Sequence, residues 1–177
     1  LIPQHLSLTN EHYTPLSIVD KVKLVFNGVI DTDPATCQKV NLERVQAKQY
    51  FDVDGLDREW CGNVFLNPPG GKINNRSSQS IWFTAAVNKY RKGEIDSVIF
   101  LAFNMEILRI ASDLLTNQWV CIPHKRIAYD IYHADSQGYC PQKSPPHTSI
   151  LIYLGQHPER FRAVFADMGT IWHLINQ

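Results

Sequence analysis

The sequence predicts an α/β fold with parallel central strands and an antiparallel edge. Three observations lead there. Short apolar strands alternate with amphipathic helical segments through the first two thirds, strands dominate the last third, and no repeat, linker or low-complexity tract divides the 177 residues. A single domain over residues 1–177 is expected.

Taken in order, Thr14-Pro15 offers a hydroxyl cap followed by proline at the first helical position. Ile18, Val22, Val25 and Phe26 then recur at helical spacing until Gly28. Val29-Ile30-Asp31 predicts a short strand running into the turn Asp33-Pro34, and residues 36–50 begin helical and become irregular. Asn63-Val64-Phe65-Leu66 is a second apolar strand, stopped by Pro68-Pro69. Residues 70–80, rich in glycine, serine and asparagine, predict a loop. Trp82, Ala86 and Tyr90 share one face of the next helix, which Gly93 closes. Residues 97–103 predict a strand, and Ile107, Leu108, Ala111, Leu114 and Leu115 an amphipathic helix. Strands follow at 119–122, 127–132 and 149–154, then a helix near Pro158 and a last strand at 170–175.

Composition sets bounds on function. A formal net charge of zero argues against a basic coat, yet permits one basic face balanced by an acidic one. Cys37, Cys61, Cys121 and Cys140 form no CxxC pair and have no neighbouring histidines in zinc spacing, so no metal site is expected. They read as reduced thiols of an intracellular protein. The longest apolar run, 98–103, falls far short of the roughly 20 residues a membrane helix needs, so no membrane partner is expected.

The tripeptide Asn67-Pro68-Pro69 carries the chemistry. It follows an apolar strand, and ligands of open α/β sheets sit at the carboxyl ends of strands. Two prolines fix their φ angles and hold Asn67 extended. The Asn67 side-chain oxygen and the Pro68 carbonyl thus form a rigid pair of acceptors. A planar amino group that gives both hydrogens to such a pair has its lone pair freed for in-line attack. Asp31 and Asp33, at the end of the first strand, can meet an ammonium or ribose hydroxyls, and Asp54 can add a third carboxylate. The absence of a GxG in this turn counts against nicotinamide or flavin chemistry.

Tyr13-Thr14-Pro15, Ile30-Asp31-Thr32-Asp33-Pro34-Ala35, Asp54-Gly55-Leu56, Trp60 and Val64-Phe65-Leu66-Asn67-Pro68-Pro69 together resemble the phage-type DNA adenine-N6 methyltransferase family. The likeness continues in order through Trp82, the strand 98–103 with Asn104 and Glu106, Pro123 to Arg126, and Ser144-Pro145-Pro146-His147. It implies a Rossmann-like methyltransferase sheet, S-adenosyl-L-methionine as cofactor and DNA as partner, in the cytoplasm of a bacterial host with a phage or prophage gene. By the same likeness Tyr13, Thr14, Pro15, Asp31, Asp33, Pro34 and Asp54 become cofactor residues, and Asn67, Pro68 and Pro69 match the catalytic signature. Gly70 stands where that signature carries a stacking aromatic, so either Trp82, Phe83, Phe103 or Tyr129 supplies the face or the substrate is not a flipped adenine. Thr36 and Cys37 stand where methyltransferases often carry glycines.

Phosphates need cations. Lys72 and Arg76 flank the catalytic loop, and Lys125, Arg126 and Lys143 lie in the strand-rich half, whereas Lys89, Arg91 and Lys92 suit an exposed helix end. Gly70, Lys72, Arg76, Trp82 and Phe103 are thus the expected substrate contacts, the 70–80 loop acting as a lid or DNA contact. His124 and His147 read as surface or structural residues. Little chain is left for a separate recognition domain, so sequence specificity is expected to be weak, or to rest on loops, a protein partner or a homo-oligomer. Two other readings stand: transfer to another planar amino group, of an RNA base or a protein amide, and a non-catalytic cofactor-binding module.

Overall fold

A computed structural model describes residues 12–133 and 138–175. In chain order the elements are α1 (Leu16–Val25), β1 (Thr32–Asp33), α2 (Gln38–Val40) running into a π-helical turn (Asn41–Val45), β2 (Gln49–Tyr50), β3 (Asn63–Leu66), β4 (Lys72–Ile73) and β5 (Arg76–Ser77). There follow α3 (Ser78–Arg91), β6 (Ser97–Ala102), α4 (Ile107–Ile110), β7 (Gln118–Pro123), β8 (Asp130–His133), β9 (Gly138–Pro141), β10 (Ile150–Leu154), α5 (Pro158–Phe165) and β11 (Gly169–Leu174).

Among the described residues, seven strands form one sheet in the order β2-β1-β3-β6-β10-β7-β11. The first four run parallel, and β10, β7 and β11 are joined antiparallel. The expected parallel core with an antiparallel edge is present, in a mixed α/β arrangement compatible with a Rossmann-like fold.

The period-two alternation of strands divides the core between the two faces of this sheet. Phe65, Ile99, Leu101, Leu151 and Tyr153 pack with α1 and α5 through Ile18, Val22, Phe161 and Phe165. Val64, Leu66, Val98, Phe100, Ile150 and Ile152 pack with α3 through Trp82, Phe83 and Ala86. All six residues of β6 are buried. Each large apolar side chain hidden this way stabilises the fold by roughly 1.5–3 kcal/mol.

Several elements differ from expectation, each for a local reason. The Thr14 hydroxyl caps no helix; α1 starts after Pro15, and that hydroxyl is used elsewhere. The 70–80 segment is a β-hairpin leading directly into α3, because Asn74 and Asn75 both adopt positive φ (49° and 62°), as a two-residue turn of this kind requires. The helix expected from Ile107 stops at Ile110 and continues only as a 3-10 turn (Ser112–Leu114). The strand expected at 127–132 leaves the main sheet and pairs with β9 instead.

Gly55 sets the approach of the 52–57 loop to the sheet. A Cβ there would lie 1.9 Å from the Pro34 carbonyl oxygen and 3.1 Å from the Trp82 ring. Gly55→Ala is therefore expected to cost about 1–3 kcal/mol by overpacking, read as a lower midpoint in urea denaturation; an unchanged midpoint would contradict this packing.

Candidate functional site

The site is assembled where β1, β3 and β6 end and β10 begins. Leu66 pairs with Phe100, so the loop after β3 and the Phe103-Asn104 segment after β6 leave the sheet at one edge. Antiparallel pairing of Ile150 with Ala102 brings Ser149 and His147 to that same edge.

Asn67 is half-buried there, and its Nδ2 donates to Thr14 Oγ1 at 3.1 Å. That bond ties the amide to Thr14, and no hydrogen bond to Oδ1 is present among the described residues. Pro68 is buried and Pro69 half-buried, while Gly70 is exposed with open space where a Cβ would stand. Thr14 itself is held from behind: its carbonyl accepts from Arg44 Nη2 at 2.9 Å, and the same nitrogen bonds the Asp130 carboxylate. Tyr13 pairs its backbone with that of Asp130 and sets its ring edge-on to Tyr139. Pro15 closes this segment as the residue before α1.

The two aspartates expected together are separated. Thr32 lies beside Val64, which puts Asp31 level with Asn63, about 13 Å short of Asn67 at the ordinary rise per strand residue. Burial pushes the Asp31 carboxyl up, but the Asn63 backbone N–H and the Lys48 ammonium (2.9 and 2.8 Å) outweigh it and hold the group below its usual range. The structure thus engages Asp31 at the base of the strands and does not bring it to Asn67.

Asp33 lies nearer the edge and is buried, 3% exposed, and among the described residues the Ala35 N–H at 3.1 Å is the one hydrogen bond to its carboxyl. Burial pushes its carboxyl up to about 7, only partly offset by that bond. Pro34 is buried behind it, against Gly55. Asp54 holds a left-handed conformation (φ 55°) at the start of the same contact and makes no side-chain hydrogen bond among the described residues.

Of the four aromatics that could replace the missing stacking ring, three are core. Trp82 and Phe83 are 0% exposed and Tyr129 is 4%. Trp82 stacks on Trp60 and turns no face outward, which removes it from the substrate contacts. Phe103 alone is half-buried, at the edge. Its N–H is bound by Gln79 Oε1 (3.2 Å) and its carbonyl by Ser149 Oγ (2.9 Å), which in turn accepts from Tyr129. Its ring lies 4.1 Å from that of His147, so His147 belongs to the site and not to the open surface.

Lys72 and Arg76 are exposed on the β4–β5 hairpin; Lys125, Arg126 and Lys143 are exposed in loops. The charge is segregated along the chain, since residues 60–93, 114–129 and 138–158 contain no aspartate or glutamate. Lys89 and Lys92 are instead paired with Glu94.

Arg44, Asp130, Gln79 and Ser149 went unnoticed in the sequence. A buried arginine must have a partner, but nothing local says that the partner is 86 residues away. The four cysteines are unpaired, as expected. Among the described residues no group of three or more His, Cys, Asp or Glu could hold a metal, and no helix is long and apolar enough to cross a membrane. No family model, curated protein or solved structure matches the chain.

Asp33 makes stability depend on pH. Its folded value of about 7 lies above the ordinary 3.8, so the folded chain keeps a proton that the unfolded chain has released. Its contribution is present below about pH 3.8 and lost as pH rises through about 7. Asp33→Asn is expected to match the parent near pH 4 and to exceed it at pH 8 by roughly 4 kcal/mol at most, in urea melts; parallel pH profiles would contradict the assignment.

Proposed function

We propose that this chain is an S-adenosylmethionine-dependent methyltransferase acting on the N6 amino group of adenine in DNA. The observation that carries the reading is the Asn67 amide, half-buried and bonded to Thr14 just past the end of β3, with Pro68 and Pro69 directly after it.

The donor set suits the cofactor. Burial favours the neutral Asp33 carboxyl, and a cation such as the methionine ammonium beside it would favour the carboxylate, its proton passing to solvent. Pro34 and the Asp54-Gly55 turn, in direct contact, offer backbone and a second carboxylate beside it. Thr14 reaches the site through its bond to Asn67, and with Tyr13 and Pro15 it completes the proposed cofactor contacts. When bound, S-adenosylmethionine supplies an electrophilic methyl on a sulfonium whose sulfur departs as a neutral thioether.

The chain's residues prepare the nucleophile. Asn67 Oδ1 and the Pro68 carbonyl accept the two amino hydrogens, drawing nitrogen towards a tetrahedral form with its lone pair aimed at the methyl carbon. With the cofactor in place, the methyl would exchange its bond to sulfur for one to nitrogen, and the surplus proton would pass from nitrogen to water. Pro69 keeps the loop rigid, so little reorganisation is needed at that moment. Phe103, pinned through both its backbone groups and backed by His147, supplies the flat face that Gly70 cannot. Base–aromatic stacking is worth roughly 1–3 kcal/mol.

DNA is favoured over a small acceptor by the segregated charge. The loops that border the site carry Lys72, Arg76, Lys125, Arg126 and Lys143 with no acid in the same segments, a pattern suited to phosphates.

Labelled S-adenosylmethionine with unmethylated DNA, followed by nucleoside analysis, is expected to yield N6-methyldeoxyadenosine. Label found only in RNA or protein would sink the DNA assignment. Asn67→Ala is expected to lower transfer by about 100-fold or more, by analogy with loss of one preorganised polar contact, while calorimetric cofactor affinity stays within about threefold. Undiminished transfer in that variant would refute the role of Asn67.

A further inference from the structure

The β4–β5 hairpin belongs neither to the main sheet nor to the core. Lys72, Ile73, Asn74, Asn75 and Arg76 are all exposed, and Ile73 is among the large apolar side chains turned to solvent, at 36%. The hairpin is nevertheless well anchored. The Ser78 N–H at the start of α3 bonds the Gly71 carbonyl at 3.0 Å, and the Asn74-Asn75 turn has the twist that two strands need. Its root follows Pro69 by two residues, so it stands beside the Asn67 loop.

Register decides what each face carries. Ile73 pairs with Arg76 and Lys72 with Ser77, so the isoleucine and the guanidinium share one face and Lys72 lies on the other. Neither cation forms an ion pair among the described residues, and the chain from residue 60 to 93 holds no acid to neutralise them. An exposed apolar side chain alone is ordinary. An exposed apolar side chain next to the turn, flanked by two cations without ion pairs among the described residues, on an anchored hairpin beside the candidate site, matches a partner with an apolar interior between rows of negative charge. Stacked bases between phosphates have that chemistry.

We propose that this hairpin opens duplex DNA at the target. Ile73 enters the stack as the adenine leaves it, while Lys72 and Arg76 hold the flanking phosphates. The proposal rests on the DNA reading above. A base can be reached only after it leaves the stack, at a free-energy cost that single strands escape. Apolar wedges between base steps are a known physical means of meeting that cost. The role of Ile73 is therefore specific to duplex substrate, whereas Asn67 serves both forms.

The test measures methyl transfer to one unmethylated genomic DNA, native and heat-denatured, by the intact chain and by Ile73→Ala and the double variant Lys72→Ala/Arg76→Ala. All three positions are exposed, and circular dichroism checks that the variants fold. Ile73→Ala is expected to lose about tenfold on native DNA and less than about twofold on denatured DNA. The double variant is expected to lose activity on both. Equal losses on the two substrates, no loss on native DNA, or a parent chain active only on denatured DNA would each overturn the wedge while leaving the methyltransferase reading intact. A parent chain that methylates neither substrate would overturn both.

Discussion

The buried guanidinium of Arg44 is the constraint on which the site geometry depends. Its side chain is 4% exposed, and one nitrogen reaches both the Thr14 carbonyl and the Asp130 carboxylate, while the ring of Tyr139 lies 4.5 Å from its central carbon. A buried charge left without such partners costs roughly 3–5 kcal/mol, so these contacts are obligatory for the folded state. They tie the π-helical turn at Asn41–Val45 to segments 30 residues before it and 86 after it. Through Thr14 they hold the Asn67 side chain in place.

A second line of support approaches from the other side of the edge. Gln79, on the first turn of α3, uses both ends of its amide, one for the Phe103 N–H and one for Asn104. Ser149 holds the Phe103 carbonyl and is itself held by Tyr129. The acceptors and the aromatic face are thus each fixed by hydrogen bonds from elements distant in the chain. Such preorganisation is what the proposed activation of an amino group by neutral acceptors would require.

Much of the fold was legible because burial leaves a periodic trace. The continuous apolar run of β6, the helical spacing of Ile18, Val22 and Val25, and the Pro-Pro stop after Leu66 each became the element they predict. The place of Asn67 just past the end of β3 was legible as well, since the two prolines that follow it stop the strand. What the sequence hid depends on tertiary partners. Asp31 and Asp33 look equivalent two residues apart, yet register places one at the base of the strands and the other near the edge. Trp82 looks like a stacking platform, but its helix turns it into the core. The hairpin turn at Asn74-Asn75 was readable in principle, from two residues that tolerate positive φ, but two-residue strands leave no alternation to notice. His147 became a site residue only through the antiparallel return of β10.

The central claim is that the amino group is activated at the edge formed by Asn67, Pro68 and Phe103, with the cofactor held at Asp33. A crystal structure with S-adenosylhomocysteine tests it most directly. The account predicts the amino acid ammonium against the Asp33 carboxylate and the sulfur facing the space before Asn67 Oδ1 and the Pro68 carbonyl. A ligand bound elsewhere, or one whose sulfur points away from that space, would contradict it.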